Sequence, residues 1–122
     1  MRQILSIGIA SSLFIIIFYT SSCNKKEITK YDCTGITPTY TSNVKSILDA
    51  NCAFSGCHNS SSKADGIDLS SYTSAKSQSS NDKFLGSIQH ISGYDEMPQN
   101  ASKLDDATIK TLSCCVQNGS PE

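Results

Sequence analysis

The sequence predicts a small all-α domain, on three observations. Residues 41–51 and 105–118 each carry apolar side chains at helical spacing, behind a residue able to cap the helix start. Phe84, Leu85 and Ile88 repeat that spacing over a shorter stretch. Only residues 66–72 alternate apolar and polar side chains, and they are few enough to form an extended connector or a turn into a short helix. With 7% aromatic residues and no Trp, a core built from side chains alone would be thin.

Residues 1–22 stand apart from that domain. Met1-Arg2-Gln3 is a short positive start, residues 4–19 are almost uninterruptedly apolar, and Thr20-Ser21-Ser22 leads into Cys23. The run is short and one-sided for a membrane span and matches a secretory signal. Small residues before Cys23 resemble the lipobox of bacterial lipoproteins, in which the cysteine is lipidated and becomes the new N-terminus. Thr20 stands where Leu is usual, and the alternatives are plain signal cleavage or an uncleaved anchor. Cleavage would leave residues 23–122, with a tether and lead-in over 23–39 and the domain over 40–122. Nine lysines against eleven acidic residues give the mature chain a formal charge of −2, with no basic stripe, which argues against a nucleic-acid partner.

The elements follow in order. Residues 24–32 are charged, lack apolar periodicity and read as a tether; Gly35 and Pro38 mark an irregular lead-in. Helix 41–51 would start at a Thr41 or Ser42 cap, turn Val44, Ile47 and Leu48 inward, and deliver Cys52 from its end. Residues 59–64 are a Ser-rich loop. Residues 73–83 are polar and belong on the surface, with a little helix, and residues 93–100 are a loop carrying Met97. Asp105 caps the last helix, Asp106 complements its dipole, Ile109, Leu112 and Val116 form its inward face, and Gly119 stops it.

Cys52-Ala53-Phe54-Ser55-Gly56-Cys57-His58 carries the chemistry. A cysteine followed directly by histidine is the core of a c-type haem attachment site. Cysteine sulfur adds across a haem vinyl group, His58 would supply a proximal imidazole, and the Met97 thioether could close the opposite face. The four-residue gap between the cysteines is longer than the usual two. Six cysteines in an exported chain imply oxidising chemistry.

The ordered set Ile47-Leu48, Cys52, Gly56-Cys57-His58-Asn59, then residues 66–72, then Met97-Pro98, resembles class I cytochrome c domains, in particular those of exported lipoproteins of Bacteroidetes-type bacteria. The run from Lys103 to Ile109 and from Val116 to Pro121 is similar to the final helix of that group. The resemblance covers roughly residues 40–121. It implies a helical fold whose first and last helices pack across one another beside one covalently attached haem c, with His58 and Met97 as axial ligands. It further implies single-electron transfer between redox partner proteins rather than enzymatic catalysis, because neither axial position stays open. The lipid on Cys23 would hold the chain at a membrane of the cell envelope, periplasmic or outer-membrane-associated.

Two departures from that pattern matter. The longer gap allows double attachment through Cys52 and Cys57 if the loop bulges. Alternatively Phe54 occupies the usual first-cysteine position, haem hangs from Cys57 alone and Cys52 is free for a disulfide. Cys115 stands where the group usually has Trp, and Cys114 or Cys115 would bridge to Cys33. Helix neighbours project about 100° apart, so both cannot face one partner. Cys33–Cys114 is the first choice, leaving Cys115 as a small core residue; a vicinal bridge is the strained alternative. His90 is a rival distal ligand, or else bonds a haem propionate or caps a turn, and Tyr72 and Tyr94 are further propionate candidates or simple packing residues. Of a different class are a haem-free module binding zinc through Cys52, Cys57, His58 and His90, and a disulfide-stapled interaction lipoprotein without cofactor.

Overall fold

A computed structural model describes residues 27–122; the expected signal segment and Cys23 lie outside the described residues. Among these residues every regular element is helical. A π-helical turn, Tyr40–Val44, runs into α1 (Lys45–Asn51); a 3₁₀ turn, Ala64–Gly66, follows, then α2 (Tyr72–Ser79), α3 (Asp82–Ile88) and α4 (Asp106–Gln117).

The first helical element starts earlier than the expected Thr41 or Ser42 cap. Thr39 is still extended (φ −115°, ψ 163°), and its hydroxyl accepts the Ser42 N–H at 3.2 Å. Its carbonyl accepts N–H groups from both Asn43 (3.1 Å) and Val44 (3.2 Å), which widens the first turn. Tyr40, Val44, Leu48 and Cys52 then follow at four-residue intervals, and all four are buried. That i, i+4 stripe carries the core face into Cys52, while Ile47 packs at its margin. Leu69, Ala75, Ile88, Leu112 and Cys115 complete the core around it.

Helix α4 begins at Asp105, whose carboxylate accepts the Thr108 N–H (2.9 Å) and hydroxyl (2.6 Å). These two bonds hold its carboxyl below the usual carboxylate range. Ile109 and Leu112 face inward as expected, but Val116 is only half-buried while Ser113, Cys114 and Cys115 are buried. The reason is that α4 is covered on two sides. Cys115 lies about 60° around the axis from Leu112 and shares its face, whereas Cys114 is on the far side. There Cys114 is bridged to Cys33, with Cα atoms 5.5 Å apart. Cys115 remains a thiol within the core.

Gly119 (φ 85°) donates to the Val116 carbonyl at 3.0 Å and Ser120 to Cys115 at 2.8 Å, a Schellman closure. The tail then returns to the first helical element, with the Tyr40 N–H on the Pro121 carbonyl at 2.8 Å. Ahead of Cys33 the chain is fastened from Thr29. Gln89 accepts the Thr29 N–H at 2.7 Å and donates to its carbonyl at 2.9 Å.

The polar stretch 73–83 holds more helix than its pattern announces. Ser71 caps α2 through the Ser74 N–H at 3.3 Å, and Asn81 caps α3 through the Lys83 N–H at 2.9 Å. Only Ala75 of α2 is buried, so no apolar stripe marks that helix in the sequence.

Candidate functional site

A cavity of about 410 Å³ opens between the loop after α1, the 65–69 segment, the α2–α3 corner and the 91–100 loop. Pockets of roughly 300–1,000 Å³ are the usual size for small-molecule and cofactor sites. Cys52, His58 and Met97 all line it, against apolar walls from Ile67, Leu69, Phe84 and Ile88. The fold thus brings three of the four expected cofactor residues to one space.

The 52–58 loop closes on itself. Cys52 ends α1 with its N–H on the Leu48 carbonyl (2.8 Å), and its own carbonyl accepts the His58 N–H at 3.0 Å. Between them the chain bulges outward, leaving Phe54 45% exposed. Gly56 makes the turn with φ 85°, and its N–H bonds the Ser62 hydroxyl at 2.9 Å. Cys57 is half-buried and does not line the cavity, although it is close enough to act electrostatically on Cys52. Both cysteines are free thiols.

Burial, then the neighbouring Cys57, push the Cys52 thiol up to about 11. The thiolate is the reactive form, so near neutral pH Cys52 should alkylate about 100-fold more slowly than an ordinary thiol. In the folded, haem-free chain half-exposed Cys57 should therefore label first with iodoacetamide, and Cys52 should accelerate only as pH climbs toward 11. Time-resolved peptide mapping checks this; equal rates at pH 8 would contradict the buried placement.

His58 is held by its backbone, with its N–H on Cys52 and its carbonyl accepting the Leu69 N–H at 2.8 Å. Its ring is buried, and Nδ1 is enclosed without a hydrogen-bond partner. A buried polar atom left unpaired costs about 1–3 kcal/mol.

Met97 is placed by its main chain. Its N–H donates to the Ser87 carbonyl at 3.2 Å, and its carbonyl lies 3.1 Å from His90 Nε2. The Met97-Pro98 bond is cis. His90, the rival distal ligand, does not line the cavity: its ring spans Met97 and Glu96, with Nδ1 3.6 Å from the Glu96 carboxylate. The loop approaches α3 closely at Gly86, where an added Cβ would stand 2.6 Å from Tyr94 Cε2. Tyr72 donates to the Ser120 carbonyl at 3.1 Å and is not part of the cavity lining.

The polar rim escaped the sequence analysis. Gln78, Asn81 and Lys83 come from the α2–α3 corner, and Asp65 and Asp95 from the two flanking loops. In the sequence they sit in polar stretches whose fold no apolar period reveals; only the capping potential of Asn81 was available as a signal. Among the described residues no three His, Cys, Asp or Glu side chains converge on a metal-sized point, so Cys52, Cys57, His58 and His90 do not assemble the alternative zinc site. Comparison of the chain with protein-family models, curated proteins and solved structures finds no match.

Proposed function

We propose that this chain is a monohaem c-type cytochrome lipoprotein that carries single electrons between redox partner proteins in the cell envelope. The observation carrying it is the convergence of Cys52, His58 and Met97 on one cavity with apolar walls. In this reading Cys52 and Cys57 hold one haem c by thioethers, and His58 and Met97 are its axial ligands. Bound there, the group would supply one-electron exchange at iron; a thioether ligand favours the ferrous state and raises the potential. The chain's own contribution is to bury His58, hold Met97 by its backbone and wall the site with apolar side chains. Lys83, Asn81 and Gln78 suit the carboxylates of such a group, and Lys83 has no ion pair among the described residues. Cys52 and not Phe54 lines the cavity, which supports a thioether at Cys52. The acidic balance, the signal-like start and Cys23 support an exported, lipid-anchored carrier without nucleic-acid partners.

A reduced pyridine haemochrome spectrum tests this, on protein exported by a host with a cytochrome c maturation system and extracted with acid-acetone. An α-band typical of two thioethers is expected; absence of covalent haem overturns the proposal. Thiol counting checks it independently. Alkylation under denaturing, non-reducing conditions and mapping of residues 27–122 should modify Cys115 alone of the free cysteines Cys52, Cys57 and Cys115. Modification of Cys52 as well would mean single attachment. Modification of all three would mean no attachment, and would leave a disulfide-stapled interaction lipoprotein.

A further inference from the structure

We infer that His90 is a positioning residue that latches Met97 into the cavity, and that Gln89 ties this latch to the chain segment ahead of the domain. The inference rests on Met97 being an axial ligand, as proposed above. Both main-chain polar groups of Met97 are held at the end of α3 and just beyond it: its N–H by the Ser87 carbonyl (3.2 Å) and its carbonyl by His90 Nε2 (3.1 Å). A carbonyl only accepts, so Nε2 carries the proton and donates. With the backbone pinned at both groups, the side chain is left as the part of Met97 free to serve the cavity it lines.

His90 adopts φ 54°, the left-handed conformation of the residue just past a helix end: its N–H donates to the Ser87 carbonyl at 3.2 Å and the Ile91 N–H to the Gly86 carbonyl at 2.9 Å, closing α3. Here the turn brings the ring back onto the Met97 carbonyl, and Glu96 flanks the other nitrogen at 3.6 Å. The preceding residue, Gln89, is 4% exposed and grips Thr29 with two hydrogen bonds, of 2.7 and 2.9 Å. Its amide also approaches the buried Ser113 hydroxyl at 3.4 Å. Ser87, Gln89 and His90 thus join two loops distant in sequence: one carries Met97 and the other leads in from the N-terminal side. An endogenous ligand held in place lowers the apparent affinity of any competitor by the fraction of time it stays bound.

The test is an imidazole titration of the oxidised, haem-loaded full chain, read by absorption. His90→Ala should raise apparent imidazole affinity about fivefold to tenfold, the worth of one lost hydrogen bond. Gln89→Ala should raise it less, and His90→Gln, whose amide can donate to the same carbonyl, should restore most of the wild-type value. Val116→Ala, a destabilising change on the far end of α4, should leave imidazole affinity unchanged although it lowers the melting temperature. Hydrogen exchange at the Met97 amide should accelerate in His90→Ala and not in Val116→Ala, which covers a His90→Ala protein too unstable to titrate. A wild-type chain without covalent haem overturns the proposed function and the latch with it. A haem-loaded chain whose His90→Ala variant binds imidazole as wild type does, or no more tightly than Val116→Ala, overturns the latch alone.

Discussion

Replacing Cys33 and Cys114 together by alanine should cost roughly 4–5 kcal/mol, by the loop-entropy relation for a closed loop of this length. The bridge joins residues 81 apart, from the lead-in to the far side of α4. Small domains are stable by only about 5–15 kcal/mol, so the loss consumes most of the margin. The fold offers little to offset it: among the described residues the core has one large buried aromatic, Tyr40, and several of its members are small or polar-edged, such as Ala75 and Cys115. The lead-in would then depend on Gln89 and on the Asn118 side chain bonded to the Ile36 carbonyl at 3.1 Å. The double variant is the right comparison, because a single Cys33→Ala leaves Cys114 beside Cys115 as two thiols open to exchange. Urea unfolding of the double variant against wild type, both without reductant, measures the effect. A loss under about 1 kcal/mol would mean that the unfolded chain is already constrained elsewhere.

The parts of the fold legible in the sequence are those in which one face does the work. Helix α4 announced itself through Asp105, Ile109, Leu112 and Gly119, because capping and apolar period agree there. The first helix was legible for the same reason, though its start was misjudged: Thr39, Thr41 and Ser42 can all cap, and only the extended backbone at Thr39 selects among them. Helix α2 was legible only as a little helix in a polar stretch. It buries only Ala75, and a helix held mainly by its caps leaves no period to read. Val116 is less buried than expected while Ser113 and Cys114 are buried, because the lead-in stapled by the disulfide covers a second side of α4, and a three-dimensional staple has no local signature.

The site divides in the same manner. Cys52, His58 and Met97 were legible because residue type and order restrict their chemistry, and they do line one cavity. Lys83, Asn81 and Gln78 were not, since only the corner between two weakly marked helices brings them there. His90 shows the limit from the other direction. Its residue type made it a ligand candidate, but hydrogen bonding to the Met97 carbonyl depends on a left-handed backbone that histidine's identity does not foretell.

In the haem-loaded protein proposed above, Met97→Leu would separate the two axial-ligand assignments more sharply than any potential measurement. Leucine keeps the volume and apolar character of methionine, so the packing cost should stay below about 1.5 kcal/mol. The backbone bonds to Ser87 and His90 do not involve the side chain and should survive. Only the sulfur is lost. If Met97 occupies the distal position about 99% of the time, its removal raises the apparent affinity of an added ligand by about 100-fold. The reduced Met97→Leu protein should therefore bind carbon monoxide readily where wild type resists it, and its midpoint potential should fall, because the thioether's preference for ferrous iron is gone. Were His90 the distal ligand, the same substitution would leave carbon monoxide affinity unchanged. That outcome would require His90 to abandon the Met97 carbonyl and reach a cavity it does not line, so the geometry already weighs against it. A carbon monoxide titration of the reduced pair of proteins decides between them in one experiment.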